Sequence, residues 1–125
     1  MGEAVVGHCD WLADNVRWQG DELLVVHDWD SAVADAEAVL AGFAAALYST
    51  ASTDHPATVE ETARFLAAYC DARGRAFSPD ELERAWAAGL WTRACDAKEE
   101  HVAGQAIVSL SETQARARLS RAGIR

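Results

Sequence analysis

Residues 8–30 read HCDWLADNVRWQGDELLVVHDWD. This segment places His8, Asp10 and Asn15 in the spacing H-x-D-x-x-x-x-N, and its later apolar run ends at Asp28. Gln-Gly-Asp-Glu at 19–22 separates two short runs of strand-forming residues, which predicts a β-hairpin. Three polar residues in this order, followed by a carboxylate at the end of a strand, form a far more specific pattern than an isolated H-x-D.

The pattern resembles the aminoglycoside phosphotransferases and their choline-kinase-like relatives. Their usual motif is H-G-D-x-x-x-x-N, then a hairpin, then a strand ending in I-D-W-[DE]. The Asp28-Trp29 pair separates this family from the protein kinases, which use D-F-G. The resemblance is specific over residues 8–30. It implies the C-terminal lobe of a protein-kinase-like α+β fold, mainly α-helical with a short β-hairpin.

The resemblance also implies a role for each polar side chain of the motif. Asp10 would be the catalytic base, which accepts the proton of an attacking hydroxyl, and Asn15 and Asp28 would bind magnesium. Magnesium takes oxygen ligands, usually one or two carboxylates together with phosphate oxygens. His8 would be structural, bonded to the backbone or to Asp10. The implied cofactors are ATP and Mg²⁺, and the implied reaction is phosphoryl transfer from ATP to a small-molecule hydroxyl.

The chain departs from the family pattern in ways that bear on activity. Cys9 replaces the usual glycine, no G-x-G-x-x-G occurs, and Lys98 is the single lysine. We therefore expect residues 1–125 to form one partial domain that lacks the N-terminal nucleotide lobe. Residues 8–30 would supply the catalytic loop and metal-binding hairpin, and residues 31–125 the helical substrate side. On its own the chain should turn over negligibly.

Composition narrows the class of partner and the compartment. A net charge of −9 in 125 residues argues against nucleic acid and anionic membranes as partners. It suits a cationic acceptor, although an acidic surface also serves solubility. Three widely spaced cysteines do not predict a disulfide framework. No apolar run reaches membrane length, so the expected compartment is the cytoplasm.

Helical patterns fill the remainder of the chain. The alanine-rich residues 32–48 predict a first helix, and residues 49–57 predict a loop that ends it. Capping signals predict further helices over residues 58–74, from residue 78 past residue 98, and from about residue 111. Trp86 and Trp91 are predicted to lie in the core. Asp30 is either a further acidic contact or the N-cap of the first helix.

Alternative functions remain open at this stage. The first is a non-catalytic remnant or helical interaction module of the same fold, which the missing nucleotide lobe favours. The second is a transition-metal cluster, whose residue types would suit zinc: His8, Cys9, Asp10, His27 and Asp28. Within the kinase interpretation, aminoglycoside, choline, homoserine-like and macrolide acceptors all fit the motif.

The family resemblance also predicts association. In the full fold, helices that precede the catalytic loop would cover apolar side chains that this chain leaves without that cover: Val5, Val6, Val39, Leu40 and Phe43. An exposed apolar patch of this kind is unusual on a soluble monomer. We expect a homodimer, a complex with a complementing small-lobe chain, or aggregation.

Overall fold

The computed structural model describes residues 3–50 and 56–125 as a mixed α+β structure. Its strands are β1 (Ala4–His8), β2 (Val16–Gln19), β3 (Glu22–Val26) and β4 (Ala32–Ala36). Its α-helices are α1 (Glu37–Leu47), α2 (Val59–Arg73), α3 (Pro79–Val102) and α4 (Glu112–Arg121), and short 3₁₀ turns lie at Ala13–Asn15 and Trp29–Ser31. Within these ranges, none of the helices combines the length and the apolar character needed to cross a bilayer.

The strands form two separate antiparallel pairs. β2 and β3 make the predicted hairpin, with Gln19 opposite Glu22 and Gly20 in the turn at φ 59°. A glycine adopts this left-handed conformation without steric cost. β1 pairs with β4, so that Ala4 faces Ala36 and His8 faces Ala32. The β1–β4 pair therefore brackets the whole 8–30 segment.

The prediction of a helix over residues 32–48 was wrong at its N-terminal end. Ala32–Ala36 is strand β4, and α1 begins only at Glu37. Alanine favours helix locally, but here the backbone groups of these residues pair with β1, and a long-range pairing overrides a weak local propensity. Asp30 consequently caps no α-helix. It lies exposed in the 3₁₀ turn Trp29–Ser31.

The boundaries predicted for the other helices are confirmed. Thr58 and Ser78 each form a capping box with the glutamate three residues later, at the start of α2 and α3. Gly74, at φ 75°, ends α2, and Ser111 caps α4. Of the predicted loop over residues 49–57, residues 51–55 lie outside the described residues.

The core forms where α1 packs across α3. A Cβ atom at Gly42 would lie 2.1 Å from the carbonyl oxygen of Ala85, so the two helix backbones approach as closely as glycine permits. Trp86 is 2% exposed and belongs to this core, as predicted. Trp91 does not, because it is 64% exposed. Five residues advance a helix by about 140°, which turns Trp91 away from the face that buries Trp86.

Candidate functional site

His8 holds the loop that follows β1. Its ring is 6% exposed, and Nε2 lies 2.6 Å from the carbonyl oxygen of His27. Nδ1 lies 3.2 Å from the backbone nitrogen of Asp10. A carbonyl oxygen only accepts and a backbone N–H only donates, so these partners assign the neutral tautomer with its proton on Nε2. His8 is therefore a structural residue of the loop, as predicted.

Asp10 and Asn15 are in direct contact. The Asn15 side-chain nitrogen donates to the backbone carbonyl oxygen of Asp10 at 2.9 Å and to its Oδ2 at 3.2 Å. Asn15 is 7% exposed, so these bonds fix its orientation in a nearly dry setting. The bonds use the amide nitrogen, and the Asn15 side-chain oxygen accepts no hydrogen bond among the described residues. That oxygen remains available as a ligand for a cation.

Asp28 has an unusual backbone conformation. Its φ is 60° and its ψ is 49°, the left-handed region, and no other non-glycine residue of the described chain has positive φ. Such a conformation costs on the order of 1 kcal/mol and persists where surrounding bonds hold it. Here the indole of Trp29 donates to the carbonyl oxygen of Val26 at 2.9 Å, and the N–H of Ser31 donates to that of Asp28 at 3.2 Å.

Hydrogen bonds join the loop after β1 to the segment after β3. The N–H of His27 donates to the carbonyl oxygen of Asn15 at 2.7 Å, beside the His8–His27 bond. The N–H of Cys9 donates to the carbonyl oxygen of Ser31 at 3.3 Å, and its thiol donates to the same oxygen at 2.9 Å. The structure thus brings Asp10 and Asn15 together and ties the segment that contains Asp28 to their loop through bonds made by His27 and Ser31. Within the described residues the Asp28 carboxylate bonds to neither side chain.

The zinc alternative does not fit this geometry. No three His, Cys, Asp or Glu side chains in residues 3–50 and 56–125 are placed to hold one metal ion. Both ring nitrogens of His8 are also engaged in hydrogen bonds. Magnesium makes a smaller demand, because waters and phosphate oxygens supply most of its ligands. The unbonded amide oxygen of Asn15 and the unbonded carboxylate of Asp28 are oxygen donors that suit it.

A pocket of about 460 Å³ opens beside Asp10. Its wall brings Asp10 and Cys9 together with residues of α1 and α3 to which the sequence analysis gave no part in a site: Phe43, Trp91, Cys95 and Asp96. The rings of Phe43 and Trp91 lie 6.1 Å apart between centroids. Trp91, Thr92, Cys95 and Asp96 follow helical spacing, so a polar and aromatic stripe on α3 was the signal available in the sequence.

Electrostatics sets Asp96 apart from an ordinary surface carboxylate. Burial raises its pKa, the nearby Arg93 opposes this, and the negative charges of Glu99, Glu100 and, least, Asp10 raise it further. Arg93 is fully buried, and its Nη1 lies 3.7 Å from Asp96 Oδ2 and 3.4 Å from Thr50 Oγ1. Two of its nitrogens, Nε and Nη2, are buried without a hydrogen-bond partner. Arg93 therefore supports this wall of the pocket at a desolvation cost.

The chain matches no protein-family model, and comparisons with curated proteins and with solved structures likewise return no match. The 8–30 motif and the geometry around Asp10 are therefore the features that bear on function.

Proposed function

We propose that this chain supplies the magnesium-binding and acceptor side of an ATP-dependent small-molecule phosphotransferase, within the C-terminal lobe of a protein-kinase-like fold. The observation that carries the proposal is the position of Asp10. Its carboxylate accepts a hydrogen bond from Asn15, and the same residue lines the 460 Å³ pocket. A catalytic base must lie between the metal ligands and the hydroxyl that attacks.

The proposed roles follow from the available atoms. Asp10 accepts the proton of the acceptor hydroxyl, and its bond from Asn15 holds the carboxylate in position for that transfer. The amide oxygen of Asn15 and the carboxylate of Asp28 hold Mg²⁺, which would neutralise charge on the phosphates of ATP. The left-handed backbone at Asp28 fixes the direction in which its side chain leaves the loop.

The pocket favours an acceptor that carries a positive charge. Asp96 and Asp10 supply negative charge, and the faces of Phe43 and Trp91 can hold a cation. An amino alcohol or quaternary ammonium alcohol combines that cation with the hydroxyl that Asp10 requires. Tetramethylammonium should quench the fluorescence of Trp91 and should fail to do so in Asp96→Asn. Equal quenching in wild type and Asp96→Asn would contradict the proposal that the acceptor carries a positive charge.

Metal binding provides the direct test of the nucleotide side. Mn²⁺ can replace Mg²⁺ in the presence of ATP, and the enhanced relaxation of water protons then reports the Mn²⁺–ATP that is bound to the protein. We expect weak, roughly millimolar binding, because this chain lacks the glycine-rich loop and lysine that hold the phosphates in the family. Asp28→Asn should abolish it, whereas Asp30→Asn, which removes an exposed carboxylate two residues away, should leave it unchanged. Micromolar binding would contradict the expected weakness.

A non-catalytic interaction module is the second candidate. It is favoured by the single lysine of the sequence, Lys98, which lies in α3 and far along the chain from the motif. The same titration separates the two functions. Wild-type protein that binds no Mn²⁺–ATP at saturating concentration would favour the module.

A further inference from the structure

We propose that the β-strand face of this chain binds a separate basic polypeptide that inserts apolar side chains beside β1. The site is a groove of about 380 Å³ between the strands β1 and β2 and the helices α1 and α2. Its wall is almost entirely apolar and includes Val5, Val6, Trp18, Leu40, Phe65 and Tyr69. This interaction does not depend on phosphoryl transfer by the pocket at Asp10.

The hydroxyl and carboxylate groups at the groove are already satisfied. The Tyr69 hydroxyl donates to Glu37 at 2.8 Å, and Arg73 bonds to the other oxygen of the same carboxylate. Burial and the bond to Glu37 raise the pKa of Tyr69 to about 12, so its phenol stays neutral near pH 7. The groove therefore presents hydrocarbon to its occupant, with no charged side chain of its own left unpaired in the described residues.

The surface around the groove remains apolar and exposed. Val6 is 76% exposed, Trp18 is 59% exposed and Leu24 is 52% exposed. Each two-stranded sheet also has two unpaired edges within the described residues. Unpaired strand edges offer backbone donors and acceptors that another polypeptide can pair with, which a small apolar molecule cannot do.

Charge identifies the kind of polypeptide. Residues 3–37 contain nine Asp and Glu against one Arg, a formal charge of −8, whereas the whole chain carries −9. Residues 38–125 are therefore nearly balanced. Of these nine carboxylates, Glu37 pairs with Arg73 and Arg75, and no salt bridge in the described part of the chain neutralises the other eight. Five of them are exposed: Glu3, Asp14, Asp21, Glu22 and Asp35. A basic partner gains complementary electrostatics from this acidic segment, which also supplies the strand side of the apolar groove.

A second copy of this chain is the less suitable occupant. Two copies of this acidic segment would repel each other. The arginines of α4 offer little free positive charge. Arg118 is fully buried and bonds to the carbonyl oxygen of Ala57, Arg116 pairs with Glu112, and Arg121 lies over the ring of Trp86 at 5.4 Å. Among the forms of association that the sequence predicts, the charge distribution thus favours a complex with a different chain.

The test begins with random peptides displayed on phage and selected on the immobilised full chain. The enriched peptides should be rich in Lys and Arg together with Val, Ile, Leu and Phe. One enriched peptide, synthesised and titrated, should bind more weakly as salt rises, because exposed charges are screened. Asp21→Asn with Glu22→Gln should weaken binding and reduce that salt dependence.

Two matched double variants then separate a docking site from general charge attraction. Val6→Ser with Trp18→Ser removes the apolar wall at exposed positions and should weaken binding about tenfold or more. Val102→Ser with Val108→Ser changes residues that are 76% and 57% exposed but lie away from the groove, and should leave the affinity unchanged. Circular dichroism checks that both variants keep the helical content of wild type.

Three results would overturn the proposal. The first is equal affinity of both double variants, which would mean attraction by charge alone. The second is enrichment of acidic or uncharged peptides. The third is a homodimer in sedimentation equilibrium that the Val6→Ser, Trp18→Ser variant dissociates, which would assign the groove to a second copy.

Discussion

The side-chain nitrogen of Asn15 donates to both the backbone carbonyl oxygen and the Oδ2 atom of Asp10, at 2.9 and 3.2 Å. These two hydrogen bonds from one amide nitrogen orient the carboxylate of Asp10 at the pocket. They also direct the amide oxygen of Asn15 away from that carboxylate. The contact therefore couples the proposed base to a proposed magnesium ligand. It also lets the two roles be tested separately.

Asp10→Asn should abolish phosphoryl transfer when a nucleotide-binding lobe is supplied, while Mn²⁺–ATP binding persists. The asparagine keeps an oxygen that can accept the hydrogen bond from Asn15. The free energy of unfolding should therefore change by only about 1 kcal/mol. It cannot accept the proton of the acceptor at neutral pH. Turnover and metal titration are measured on the same preparation. Activity equal to wild type would exclude Asp10 as the base.

His8→Ala should destabilise the fold by about 2–4 kcal/mol, because it leaves the carbonyl oxygen of His27 and the N–H of Asp10 without partners and creates a void. The ring also makes edge contacts with Trp11 and Trp29. Urea unfolding followed by tryptophan fluorescence measures the change. His101→Ala is the control, since His101 is exposed in the last turn of α3. Equal stability of the two variants would mean that His8 does not join the loops.

The helix ends could be predicted from the sequence because their chemistry is local. Thr58 and Ser78 find their capping partners three residues away, and Gly74 needs only its own backbone freedom. The β1–β4 pair could not be predicted in this way, because Ala4 meets Ala36 only after the intervening hairpin has formed. Local propensity at residues 32–36 favoured helix, and the long-range pairing decided otherwise.

The candidate site likewise combines local contacts, which the sequence could predict, with long-range contacts, which it could not. The Asp10–Asn15 contact follows from the motif spacing within one loop. The side chains Phe43 and Asp96 reach the pocket only because α1 crosses α3 at the contact of Gly42 with Ala85. No local sequence pattern predicts where α1 crosses α3. The motif therefore predicted the Asp10–Asn15 contact and did not identify the residues of α1 and α3 that line the pocket.

Acid should destabilise the start of α3 through Glu81. Its carboxylate accepts hydrogen bonds from Arg75 and from the N–H of Ser78, which lower its pKa from 4.5 to about 2. A carboxyl with a lower pKa in the folded protein stabilises the fold above its unfolded pKa, and that contribution is lost as pH falls. The loss should therefore occur between pH 4.5 and about 2.

Thermal melts across that pH range, comparing wild type with Glu81→Gln, measure the contribution of Glu81. The variant should be less stable than wild type at neutral pH, and the two should converge toward pH 2. Glu99→Gln, on the exposed surface of the same helix, serves as the control for a general change of charge. A constant gap between wild type and Glu81→Gln at every pH would exclude the Arg75 and Ser78 bonds as its cause.

Gly42→Ala should destabilise the protein although alanine is the better helix former. At an open helical site the exchange gains up to about 1 kcal/mol. Here the new methyl group would lie 2.1 Å from the carbonyl oxygen of Ala85, a backbone atom that can move away only if α3 moves. Overpacking of this kind costs about 1–3 kcal/mol or more.

Gly89→Ala is the graded comparison, because its Cβ would lie 3.0 Å from the carbonyl oxygen of Gly42 and 3.2 Å from the Cβ of Ala46. Urea unfolding should rank wild type above Gly89→Ala and Gly89→Ala above Gly42→Ala. An increase in stability in both variants would show that α1 and α3 do not meet through these glycines, and the pocket wall formed by Phe43 and Asp96 would lose its basis.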